Sequence, residues 1–224
     1  MGGLCFLLFS CKEEKPLKNI VVLVSGGGTN LQALIDAEKR GEIKNGRISC
    51  VISSKEGAYA LERAEKNGIA TRVIPKKGCP DRGEYSQRIL DALNEEKADL
   101  VILAGFMIIL DERVAKAYPN RIMNVHPALI PSFCGPGFYG LHVHEAVLAS
   151  GVKLTGATVH FVNEVCDGGP IILQGAVQVK NGDTPEMLQQ RVMEECEWKL
   201  LPRAASLFCE GKITVEDGIA RVSE

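Results

Sequence analysis

The run Asn124-Val125-His126-Pro127 sets an amide and an imidazole two residues apart. An imidazole moves protons near neutral pH, and a side-chain amide donates to a developing oxyanion. Residues two apart on a strand share a face, so the pair works together if the strand reaches His126. A carboxylate is still needed to orient the ring or to hold its charge. Asp167, in Cys166-Asp167-Gly168-Gly169-Pro170, is the best candidate, on a glycine turn that allows close approach. Each residue also has a plainer reading: a single His is more often structural, and an Asp-Gly turn more often only a turn.

A second cluster, Ser25-Gly26-Gly27-Gly28-Thr29-Asn30, follows an apolar run and precedes helical spacing. Glycines let backbone approach an anion, and a helix N-terminus offers free N–H groups and partial positive charge. Thr29 or Asn30 is suited to cap that helix and touch a phosphate. No Gly-Lys-Ser/Thr follows, so this is not a Walker A loop. A dinucleotide fingerprint fails too, because Leu31 stands where a third glycine belongs and Ser53-Ser54-Lys55 offers no acid for a ribose. The loop therefore reads as a monophosphate or ribose-phosphate site, with tight strand–helix packing as the alternative.

The elements that must position these groups are legible from periodicity. Apolar runs at Asn19–Val24, Ile48–Ile52, Thr71–Ile74, Leu100–Ala104 and Ile122–Val125 predict strands. Between them Leu31–Lys39, Ala58–Lys66, Tyr85–Glu96 and Asp111–Ala117 predict helices. The alternation implies an α/β fold, a doubly wound, mostly parallel sheet with a Rossmann-like N-terminal half. Sites in such sheets lie outside the carboxyl ends of the strands. Pro127–Gly140 holds three prolines and three glycines and predicts a long functional loop. A short helix over Val143–Ala149 follows. Thr155–Val162 and Pro170–Val179 predict a hairpin added to the sheet, and Thr184–Phe208 one long helix kinked at Pro202.

Composition narrows the function. The 224 residues carry 26 Lys+Arg against 28 Asp+Glu, a formal charge of −2, which disfavours a polyanion-binding role. No apolar run approaches the roughly 20 residues of a membrane helix. The eight cysteines, with no C-x-x-C pair, read as buried free thiols in a reducing cytoplasm. With four histidines they supply no recognisable zinc ligand set, so no metal is expected. Residues 1–17 read as an unstructured or non-native leader, and 18–224 as one domain.

Five segments resemble, in order, the folate-dependent phosphoribosylglycinamide formyltransferase family. They are Val22–Gln32 (VLVSGGGTNLQ), Leu103–Leu110 (LAGFMIIL), Ile122–Pro131 (IMNVHPALIP), Thr158–Val162 (TVHFV) and Asp167–Gln174 (DGGPIILQ). The resemblance spans Lys18 to Val215. It implies formyl transfer from 10-formyltetrahydrofolate to the amine of glycinamide ribonucleotide, in purine biosynthesis. It assigns the oxyanion to Asn124, proton donation to His126, and to Asp167 the raising of the His126 pKa. It places the phosphate on Gly28, Thr29 and Asn30, and a further substrate contact on Glu197. The folate would use the backbone of Met107, Ile108, Ile109 and Leu110, with Asn124 beside it and Arg82 near its tail. Pro127–Gly140 would be a lid. The expected partners are these two small molecules, with no nucleic acid and no membrane, in a monomer or homodimer. A formyltetrahydrofolate hydrolase is the alternative.

Three departures from the family pattern stand out. Ile108 occupies a position that is often Arg, Glu197-Trp198 replaces a common Glu-His, and Ser132–Gly140 makes a lid longer than in some relatives. His142 and His144 read as helix-capping or lid-anchoring residues. His160 reads as a core residue, with a part in the folate pocket as the alternative.

Overall fold

A computed structural model describes residues 16–223 of the chain; most of the leader expected at 1–17 lies outside them. The elements run β1 (Lys18–Val24), α1 (Thr29–Lys39), β2 (Gly46–Ser53), α2 (Tyr59–Lys66), β3 (Ala70–Val73), α3 (Arg82–Glu95), β4 (Leu100–Leu103), α4 (Glu112–Ala117) and β5 (Ile122–His126). They continue with α5 (Leu141–Ser150), β6 (Leu154–Phe161), β7 (Ile171–Gln178), α6 (Pro185–Val192), a π-helical turn (Met193–Glu197), α7 (Trp198–Cys209), β8 (Ile213–Glu216) and β9 (Ile219–Val222).

The main sheet has the order β3-β2-β1-β4-β5-β6-β7, with β6 and β7 antiparallel to their neighbours. β1 explains why the sheet is covered on both faces. Its residues Ile20, Val22 and Val24 pack with Leu31, Leu34, Leu201 and Ala205, whereas Val21 and Leu23 pack with Tyr85, Ile89 and Val114. Such a strand needs apolar residues on both faces, which the run Ile20–Val24 (IVVLV) supplies. The strand order reverses between β1 and β4, so the loops after β1, β4 and β5 share one edge around that crevice.

Two expectations need correction. The helix over Thr184–Phe208 is not one α-helix kinked at Pro202. It widens one turn earlier, at Met193–Glu197, where Trp198 N–H reaches back to Met193 O. Pro202 has no N–H for the Trp198 carbonyl and its ring crowds that carbonyl, so the chain accommodates it upstream. The hairpin β8–β9 was not expected, although its turn, Asp217-Gly218, holds both residues at positive φ, 51° and 76°.

Candidate active site

β5 ends at His126, and its register with β6 places Asn124 opposite His160 and His126 opposite Thr158. These four side chains share one face of the sheet. Thr158 fixes the chain beyond His126: its hydroxyl donates to Ala128 O at 2.7 Å and accepts from Ile130 N at 3.1 Å. Gln174 on β7 adds bonds to Ile130 O and the Thr158 hydroxyl, at 3.1 and 3.0 Å. The long loop thus starts from a rigid base.

Asp167 reaches the same place from the turn between β6 and β7, with φ at 54°. Gly169 makes that turn possible, since a Cβ there would sit 1.8 Å from Phe161 O. Asp167 Oδ2 lies 3.6 Å from His126 Nδ1, and Oδ1 lies 3.7 Å from His160 Nε2. Gly135 N–H donates to Asp167 Oδ2 at 2.9 Å.

The hydrogen bonds fix both tautomers. A carbonyl only accepts, so the 2.8 Å contact of His126 Nε2 with Phe133 O puts the proton on Nε2. His126 Nδ1 then faces Asp167 as the site that takes a second proton. Phe133 is itself left-handed, with φ at 50°, an uncommon conformation for a bulky residue, and this aims its carbonyl at the ring. His160 Nδ1–H donates to Phe161 O at 2.8 Å, leaving Nε2 to accept from Asn124 Nδ2 at 3.3 Å. His160 therefore orients the Asn124 amide and touches Asp167. It belongs to the site, a role that the sequence left open; the cross-strand register is what reveals it.

Electrostatics keeps the direction expected of Asp167 and adds a larger, opposing effect. The His126 pKa is lowered, not raised: burial dominates, and the Phe133 carbonyl and Asp167 carboxylate oppose it without prevailing. Asp167 still pushes in the expected direction. Its own pKa is also lowered, because burial, which raises it, is outweighed by His160, the Gly135 amide and His126. The resting site thus holds a neutral imidazole beside a carboxylate.

His142 and His144 do not cap α5, whose N-cap is Gly140 with no side-chain bond. His142 is exposed and pairs with Glu145 at 2.9 Å. His144 is fully buried, and neither ring nitrogen has a protein partner. Burial first, then the nearby His126, pushes its pKa down to about 4.

Along the same edge, Gly26 and Gly27 are exposed and a Cβ on either would meet nothing within 4 Å. Packing does not require these two glycines, so an open anion cradle accounts for them better. Gly28 differs: its φ is 71° and its Cβ would sit 2.7 Å from Ala60 Cβ. Gly26 O and Gly27 O turn towards α2, accepting from Ala60 N at 3.1 Å and Arg63 Nε at 2.9 Å. The first turn of α1 has no acidic residue and no side-chain cap, so neither Thr29 nor Asn30 caps it. Thr29 is exposed beside this turn. Asn30 is buried and its Nδ2 donates to Glu197 Oε2 at 2.7 Å, while its Oδ1 has no protein partner. Glu197 comes from the π turn, and burial raises its pKa.

The segment after β4 completes the edge. Met107 N–H donates to Ser25 Oγ at 3.0 Å, and Leu103 is in register with Asn124. Met107 and Ile109 are exposed, whereas Ile108 and Leu110 pack inward against the core under α3 and α4. Ile108 therefore turns its side chain partly into the core and brings no charge to this edge. Arg82 opens α3 and is exposed. It adds a minor positive influence on Asp111, whose lowered pKa comes mainly from the Arg113 amide and side chain. Among the described residues no group of three or more His, Cys, Asp or Glu is arranged to hold a metal. No described helix is long and apolar enough to cross a membrane.

Comparison with known proteins gives the same direction. The chain is 39% identical over 202 residues to the phosphoribosylglycinamide formyltransferase of Escherichia coli (strain K12), covering 90% of this chain and 92% of that one. It is 41% identical over 209 residues to the chloroplastic phosphoribosylglycinamide formyltransferase of Arabidopsis thaliana, covering 92% and 71%. The crystal structure of glycinamide ribonucleotide transformylase 1 from Symbiobacterium toebii matches with a TM-score of 0.87 at 41% identity, covering 93% and 95%. Residues 18–205 match the formyl transferase family model, and the chain belongs to that family.

Proposed function

We propose that this chain transfers a formyl group from 10-formyltetrahydrofolate to the amino group of glycinamide ribonucleotide. The observation that carries this reading is the convergence of Asn124, His126, His160 and Asp167 on one sheet edge that also carries the open Gly26-Gly27 cradle. The co-substrate supplies the formyl carbon, to which the acceptor nitrogen bonds as the carbon–N10 bond breaks.

The residues of this chain meet the needs of that exchange. Oxygen charge develops at the formyl carbon, and Asn124, its amide oriented by His160, is the donor for it. A proton must leave the acceptor nitrogen and another must reach N10. His126 is neutral at rest, so it takes a proton on Nδ1 beside Asp167 and gives one back. The proton it gives comes from Nε2–H, which the Phe133 carbonyl must first release. Asp167 holds the imidazolium while it exists.

Gly28, Thr29 and Asn30 with the first turn of α1 hold the acceptor's phosphate. Glu197 and the free Asn30 Oδ1 serve its ribose hydroxyls. The exposed Met107 and Ile109 border the folate ring, whose polar edge meets backbone from Met107 to Leu110, with Arg82 towards its acidic tail. Residues 18–224 act as one unit, in the cytoplasm.

The test is direct. Purified protein is given 10-formyltetrahydrofolate with glycinamide ribonucleotide, without metal or ATP, and formylated ribonucleotide is measured. A parallel reaction omits the acceptor and measures formate. The reading expects acceptor-dependent product. Formate release at the same rate without acceptor would instead support the hydrolase.

A further inference from the structure

Not every cysteine is a buried thiol. Cys50, Cys196 and Cys209 are buried, but Cys134 is half-buried and Cys166 is exposed. These two flank one carboxylate. Cys166 Sγ lies 3.8 Å from Asp167 Oδ2, and Gly135 N–H, the residue after Cys134, donates to that same oxygen at 2.9 Å. The residue before Cys134 provides the other tie, Phe133 O on His126 Nε2 at 2.8 Å. The tripeptide Phe133-Cys134-Gly135 therefore occupies both His126 and Asp167, and its central side chain is a thiol that donates to Pro131 O at 3.2 Å and, like Cys166, feels the Asp167 carboxylate.

We propose that Cys134 and Cys166 form a reversible disulfide that locks this tripeptide onto His126 and Asp167 and stops turnover until the bond is reduced. The oxidant is a low-molecular-weight disulfide such as oxidised glutathione. Cys166, the more exposed thiol, attacks it as the thiolate. Its S–S bond breaks, a Cys166 mixed disulfide forms and one small thiolate leaves. The Cys134 thiolate then attacks Cys166 Sγ and expels the second small thiolate. Two protein thiols lose two electrons and two protons, and one small disulfide becomes two thiols.

A disulfide needs Cα atoms about 4.4–6.8 Å apart. Gly135 and Gly137, at φ of 89° and 93°, give the loop beyond Cys134 the freedom to meet that distance. Burial and the Asp167 carboxylate hold both thiols above their ordinary pKa, so closure speeds up as pH rises. Occupied substrate sites slow it, because the tripeptide must then lie off the two groups.

The stop in turnover rests on the function proposed above; the cross-link and the lock do not. The full chain is equilibrated with oxidised and reduced glutathione at several ratios. Peptide mapping reads the Cys134–Cys166 link, hydrogen exchange reads the Gly135 amide, and formyl transfer is assayed before and after dithiothreitol. The proposal expects the link, slower exchange at Gly135, and a loss of at least tenfold in rate that dithiothreitol restores. Cys134→Ser and Cys166→Ser each keep most of their own reduced rate through the same treatment once glutathione adducts are subtracted. A glutathione adduct on Cys166 without the link, or a link that leaves both exchange and turnover unchanged, would overturn it. If the reduced protein transfers no formyl group, the functional reading fails, while the link and the exchange still decide this proposal.

Discussion

Asp167 Oδ2 faces His126 Nδ1 at 3.6 Å, from a turn held at a φ of 54°. The Nε2–H of the ring is already given to Phe133 O, so Nδ1 is the nitrogen free to gain a proton. The carboxylate thus favours the imidazolium, while burial favours the neutral ring and prevails. The two opposed effects set where His126 titrates, and removing either moves it.

Asp167→Asn tests that balance. Taking away the carboxylate removes a raising influence, so the His126 pKa falls further. In the wild type the acid limb of kcat lies below the ordinary histidine value of about 6.5. In the variant it moves lower still, and kcat falls on the order of 10²-fold. A pH–rate profile from pH 4 to 9 measures both.

Glu197→Gln isolates the acceptor side. Glutamine still accepts from Asn30 Nδ2 but carries no charge for the ribose hydroxyls. The KM for glycinamide ribonucleotide should rise about tenfold, equivalent to about 1.4 kcal/mol, with the folate KM unchanged. Initial rates with each substrate varied in turn read this.

His144 links the site to acid stability. Its pKa is about 4 in the folded chain, below the value of about 6.5 it regains on unfolding. The unfolded chain therefore binds more protons between these values. The stabilisation is complete above about pH 6.5 and is lost as pH falls towards 4, on the order of 3 kcal/mol in all. His144→Leu should leave stability at pH 7 unreduced and flatten that acid loss. Urea unfolding at pH 7 and pH 5 reads the difference.

The three glycines after β1 should separate into two kinds. Gly28→Ala places a Cβ 2.7 Å from Ala60 Cβ at a positive φ, and should cost about 2 kcal/mol or more. Gly27→Ala meets nothing within 4 Å, and should change stability by less than about 0.5 kcal/mol. It should nevertheless raise the KM for the ribonucleotide, because the methyl group enters the cradle. Denaturant midpoints and acceptor kinetics distinguish the two.

The sheet was legible because β1 is apolar at every position from Ile20 to Val24, the pattern of a strand covered on both faces. Asn124 and His126 were legible from their spacing at a strand end. His160 was not, because its place depends on which residue of β6 lies opposite Asn124, and antiparallel register is long-range information. The direction of the His126 pKa was hidden for a similar reason: a nearby carboxylate is visible in a motif, but the depth of burial is not. The π turn arises where Pro202 disturbs a helix that must still deliver Glu197 to Asn30, and a period count cannot register that shift. The β8–β9 hairpin is different, since Asp217-Gly218 is a turn signal that the sequence carries openly.

The steady-state rate of formyl transfer by His126→Ala, beside the wild type, tests the central claim most directly. The ring removed faces Asp167 through Nδ1 and carries on Nε2 the proton that the account gives to the reacting nitrogen. The account predicts a fall in kcat of about 10²- to 10⁴-fold with little change in either KM. Turnover within a few-fold of the wild type would contradict it.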